Sequence, residues 1–137
     1  MNKKIPVFIL LTLTTFSFVA CKKHNAPPAC GCEAPARDTI PETSNIIGTI
    51  MYNEDISSKD FKDKYVILYQ EENCINCKHY LAICNEAALP SAVLALKASK
   101  GSLQVSFSGF LKPICDKFNA PADYTYENLY LTKIKIQ

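Results

Sequence analysis

Between Ile46 and Gln137 five segments carry the alternation or the β-branched and aromatic content of strands, and one stretch, Pro90–Gly101, has the apolar spacing of a helix. Few folds accommodate that order. "IIGTIMYN" (46–53) alternates around Gly48, which predicts a strand with a bulge or tight bend. "KYVILYQE" (64–71) is β-branched and aromatic, and "HYLAIC" (79–84) is a shorter strand; the polar "EDISSKDFKD" (54–63) and the turn "ENCINCK" (72–78) connect them. In the helical stretch Pro90 suits the first turn, and Val93, Leu94, Leu96 and Ala98 make the apolar face. Lys97 and Lys100 face water, and Gly101 supplies the stop.

"SLQVSFSGFLK" (102–112) returns to alternation, with Leu103, Val105 and Phe107 on one face and Gly109 marking a bend. In "YENLYLTKIKIQ" (126–137) Leu129 and Leu131 share a parity that Ile134 and Ile136 do not. A bulge near Thr132-Lys133 brings all four to one core. The order strand, strand, strand, helix, strand, strand therefore predicts a mainly β protein, a small five-stranded OB-like barrel with one helix between its third and fourth strands. The rival arrangement is an open β-sandwich with a peripheral helix.

The first twenty residues read differently. Lys3 and Lys4 precede an apolar run, Ile5–Ala20, that is short for a permanent span and fits a secretory signal. Phe18-Val19-Ala20-Cys21 resembles a bacterial lipobox, with Phe18 in place of the usual Leu. That resemblance implies cleavage after Ala20 and a diacylglycerol on Cys21, hence a stable membrane attachment through several acyl chains. Residues 21–45, charged and rich in proline, predict an extended, mobile tether. The expected organisation is signal peptide 1–20, anchor and tether 21–45, and barrel domain 46–137.

Seven cysteines less Cys21 leave six, and an even number in a small exported domain predicts disulfides. Cys84 with Cys115 is the preferred long-range pair and Cys74 with Cys77 the local one. Cys30 and Cys32 then bond each other or tie the tether to Cys74 and Cys77. Two other readings compete. Four thiolates from the Cys-x-Cys and Cys-x-x-Cys pairs would suit zinc, but an oxidising compartment removes them as ligands, and no metal is expected. "YVILYQEENCINCKHYL" resembles the strand and active-site segment of thioredoxin-like proteins, which implies Cys74 as an attacking thiolate at a helix N-terminus and Cys77 as the resolving thiol.

"CNEAALPSAV", "LQVSFSGFLK" and "LYLTKIKI" resemble a loose group of small Gram-negative lipoproteins of unassigned activity, which implies an outer-membrane address and no catalytic residues. The OB-like topology itself implies a ligand face on the second and third strands. Here that face holds Tyr65, Tyr69, His79 and Tyr80, beside the loop Lys112–Asp123, where aromatic rings would stack on a sugar or a peptide. The 15 Lys and Arg fall to 13 once Lys3 and Lys4 are discounted, equal to the 13 Asp and Glu, so the mature chain offers nucleic acid no electrostatic footprint. No nucleophile with an adjacent base is legible, nor a phosphate loop. The expected protein is a lipid-anchored envelope module with a binding or a structural role, its partner an envelope protein or a small ligand, without catalysis or cofactor; thiol–disulfide exchange at Cys74 and Cys77 is the alternative.

Overall fold

The computed structural model describes residues 26–54, 58–117 and 119–137. The signal segment and Cys21 lie outside them. Six strands form one sheet: β1 (Asp38–Ile40), β2 (Ile47–Asn53), β3 (Lys64–Gln70), β4 (Lys78–Ile83), β5 (Ser102–Lys112) and β6 (Tyr124–Ile136). Antiparallel pairs join β2 to β3, β3 to β4, β6 to β5 and β5 back to β2, while β4 and β6 run parallel. The last pairing closes a five-stranded barrel, as the order of periods predicts, and β1 adds to the free part of β5.

Two glycines fit the barrel by what they lack. A Cβ on Gly48 would lie 2.6 Å from Ile67 Cγ2 and 3.1 Å from Phe107 Cε1, so the glycine makes room for inward side chains. It pairs in register with Val105, and the bulge or bend expected there does not form. At Gly109 a Cβ would collide with the Tyr130 carbonyl oxygen. The β5–β6 register shifts at that point, pairing Ser108 with Lys133 and Gly109 with Leu131 so that Thr132 bulges out. Beyond the bulge Ile134 and Ile136 turn back onto the core beside buried Leu129 and Leu131, as their parity requires.

The helix comprises two abutting pieces, α1 (Ser91–Leu94) and α2 (Leu96–Ser99), interrupted at Ala95. Val93 and Leu96 are buried, but Leu94 and Ala98 are not, so the apolar face is narrower than the sequence suggests. Lys100, not Gly101, takes the left-handed conformation that ends the helix, with φ 55°. Ile50, Ile67, Leu81, Val93, Val105 and Leu129 fill the barrel interior.

The tether expected over 21–45 is too long, because its part from Cys30 onward belongs to the fold. Cys30 bonds Cys115 and Cys32 bonds Cys84, β1 pairs with β5, Ala34 is buried, and Ile40 joins the main core. The folded body thus begins by Cys30. These bonds also correct the expected pairing of Cys84 with Cys115 and both readings of Cys30 and Cys32, bonded to each other or to Cys74 and Cys77; Cys74 with Cys77 is found. Each long-range sulfur is captured by the N-terminal segment, whose path the strand pattern does not reveal.

A second apolar cluster lies outside the barrel. Phe61, from the connection expected to be merely polar, is fully buried there against Val66 and Ala82, with Tyr80, Ile114 and Tyr126 around it. The β2–β3 and β5–β6 connections clasp each other above it. The Ser58 hydroxyl donates to Asp116 Oδ2 at 2.9 Å, the Lys59 N–H donates to the same oxygen, and the N–H groups of Cys115 and Asp116 donate to Asp60 Oδ2 at 2.7 and 2.9 Å. The Ser58 hydroxyl, followed by the Lys59 N–H, holds the Asp116 carboxyl below its ordinary range.

Candidate functional site

Ladder register decides which residues share a face, and it separates the four residues read from the sequence. Tyr65 faces inward: it is buried, meets Tyr52 edge-on at 5.0 Å, and its hydroxyl donates to the Leu94 carbonyl at 2.7 Å. It anchors the helix and is no part of an outer ligand face, which corrects that expectation. Tyr69 and His79 are ladder partners and stack at 4.4 Å with an interplanar angle of 11°. Both follow the inward parity of Ile67 and Leu81, toward one end of the barrel.

A polar cluster surrounds that stacked pair. His79 Nε2 lies 2.8 Å from Glu71 Oε1, while buried His79 Nδ1 has no hydrogen-bond partner among the described residues. Glu127, buried one strand away on β6, pairs with the Arg37 guanidinium from the N-terminal segment. Burial, then the charges of Glu127, Glu71 and Asp38, pushes the Tyr69 hydroxyl up to about 12.

A raised tyrosine pKa favours the folded state fully below the ordinary value of 10.0, and that contribution is lost as the pH climbs toward 12. Urea midpoints should therefore fall between pH 10 and 12, and Tyr69→Phe should flatten the fall. An unchanged slope in the variant would assign the alkaline loss to other groups, among them Tyr65 and Tyr126, which burial also shifts upward.

Of the four, only Tyr80 faces outward. Register places it in a row across all five barrel strands: Gln104, Thr49, Leu68, Tyr80, Tyr126. The neighbouring row carries Gln70, Lys78 and Tyr124. Tyr80 stacks on Tyr126 at 4.9 Å and 7°, leans on Tyr124 at 5.7 Å, and Lys78 Nζ lies 5.4 Å over the Tyr124 ring. All three rings are half-buried. Beside them a groove of about 320 Å³ runs over Thr49, Leu68, Gln70, Lys78 and Gln104. The face thus combines flat aromatic surface with amide, hydroxyl and ammonium donors, a chemistry suited to binding polyhydroxylated rings or extended chains.

Tyr124, Tyr126, Lys78 and Gln70 escape sequence reasoning because β4 and β6 are far apart in the chain and pair in parallel. Alternation within β6 gives their face, but nothing local gives their neighbour. The expected flanking loop Lys112–Asp123 is present at the edge, held by the clasp to residues 58–60.

The cysteines of the competing readings are dispersed. Cys30 and Cys32 are bonded to Cys115 and Cys84, apart from the Cys74–Cys77 bond, so the four sulfurs of a zinc centre do not converge. Cys74 and Cys77 sit in the turn between antiparallel β3 and β4, where Gln70 Nε2 donates to the carbonyls of Cys74 and Ile75 at 3.2 and 2.5 Å. No helix begins at Cys74, so the dipole that lowers an attacking thiol's pKa in thioredoxin-like sites is missing.

These features define a disulfide-linked, OB-like barrel with an aromatic outer face. No protein-family model matches the chain, and no curated protein sequence matches it.

Proposed function

We propose that this chain is an exported lipoprotein, acylated on Cys21 and held at the outer membrane, whose barrel binds an envelope oligosaccharide across the outer face of β3, β4 and β6. The observation that carries the reading is the Tyr80, Tyr124 and Tyr126 stack with Lys78 and Gln70 at its edge. Tyrosine faces take up the apolar face of a sugar ring, and the Lys78 ammonium at the edge meets its hydroxyls. Three disulfides support an oxidising compartment, where such bonds persist. The formally neutral mature chain speaks against a polyphosphate ligand such as nucleic acid.

The test is calorimetric titration of the oxidised domain with soluble peptidoglycan fragments and, separately, with deacylated lipopolysaccharide oligosaccharide. One of the two should bind, and Tyr80→Ala with Tyr124→Ala should weaken that binding at least about tenfold. Tyr65→Phe, which alters only the inward hydroxyl, should leave it unchanged. Binding that ignores both outer-face variants, or no binding of either glycan, would overturn the assignment. Insulin reduction by the same preparation, dependent on Cys74 and Cys77, would replace it with thiol–disulfide exchange.

A further inference from the structure

A second exposed surface lies on β5 and β6, where the N-terminal segment enters the fold. Phe110 and Tyr130 are ladder partners, 40% and 44% exposed, whereas most other large apolar side chains among the described residues are buried or half-buried. Ala34, Pro35 and Ala36 flank them, and together with Lys112 they border a shallow, largely apolar depression of about 370 Å³. Lys112 Nζ reaches over the Tyr130 ring at 5.4 Å and also donates to the Cys32 carbonyl. Further along β6 stand exposed Lys133 and Lys135, Lys133 paired with Glu42 at 3.0 Å.

The disulfides set how far this surface can stand from an anchor. With a tether to residue 46, Cys21 would sit 25 residues away, about 85 Å of extended chain. Because Cys30 is bonded to Cys115, Cys21 stands only nine positions from the folded body, about 30 Å at full extension. Gly31 N–H donates to the Pro113 carbonyl at 2.8 Å, so that short leash leaves the barrel next to the end of β5.

We infer that the Phe110–Tyr130 face, with Lys112, Lys133 and Lys135, docks on an anionic lipid surface and orients the barrel with its β3 face outward; this rests on acylation at Cys21. Aromatic rings flanked by lysines are the composition that settles at headgroup level. β3 pairs with neither β5 nor β6, so the β3 part of the glycan face proposed above, Leu68 and Gln70, stays in solvent when this surface is docked, while Tyr124 and Tyr126 lie at the opposite end of β6 from Lys133 and Lys135.

The chain contains no Trp, so single replacements give clean probes. Full-length acylated protein carrying Phe110→Trp, or Leu68→Trp on β3, is reconstituted into phosphatidylethanolamine–phosphatidylglycerol vesicles with brominated acyl chains. Quenching of the first by at least about half, little quenching of the second, and relief when Lys112 and Lys133 are changed to Glu would support the docking. Equal quenching of both probes, or of neither, in protein whose Cys21 peptide carries acyl mass would overturn the docking and leave the anchor intact. A concentration-dependent dimer without quenching would give the face to a second copy of the chain and overturn it too. An unmodified Cys21 peptide from the producing cell would overturn the anchor and the docking together.

Discussion

Replacing Cys32 and Cys84 by serine should cost about 4 kcal/mol of unfolding free energy, and replacing Cys30 and Cys115 slightly more, read from urea midpoints under oxidising conditions. The estimate follows from sequence separations of 52 and 85, which fix how much freedom each bond removes from the unfolded chain. The loops are nested, so once one bond is present the other closes a shorter circuit, and removing both should cost less than the separate losses added. Cys74→Ser with Cys77→Ser, at a separation of 3, should cost no more than about 2 kcal/mol. Peptide mapping without reduction should recover Cys30 joined to Cys115 and Cys32 to Cys84. A peptide joining Cys84 to Cys115, or a loss below about 1 kcal/mol on removing either long-range bond, would refute the arrangement.

Both bonds radiate from one three-residue stretch, Cys30-Gly31-Cys32, and that explains why residues 30–45 are poorly legible in the sequence. Their order comes from two crosslinks and a three-residue strand rather than from an apolar pattern, and composition alone describes such a segment as a linker. The barrel is the opposite case. Each of its strands announces itself by alternation or by a β-branched and aromatic run, and even the Thr132 bulge follows from the parity of Leu131 against Ile134. Facing is harder. Alternation shows that Tyr69 and Tyr80 lie on opposite faces only once the β3–β4 register is known, and register is a property of two strands. The aromatic face is harder still, since Tyr124 and Tyr126 arrive by a parallel pairing of β4 with a strand more than forty residues later.

Phe61 shows the same limit at a single residue, and carries the second large effect. It stands in a run of charged and hydroxyl side chains, yet it is fully buried, meeting Tyr126 edge-on at 5.5 Å and 84°. Its own backbone is fixed by the Asn53 amide, which donates to the Phe61 carbonyl at 2.9 Å, and by its N–H, which donates to the Ser58 carbonyl. Truncation to Ala therefore leaves a cavity that the pinned loop cannot easily collapse, and should cost about 3–5 kcal/mol. Phe61→Leu, which keeps most of the volume, should cost less than about 2 kcal/mol. The alanine variant should also speed amide exchange at Lys59, Cys115 and Asp116, because the clasp between the two connections rests on the seated ring. If truncation costs less than about 1 kcal/mol, or those amides exchange at the native rate, the ring is not what holds the clasp over the outer sheet.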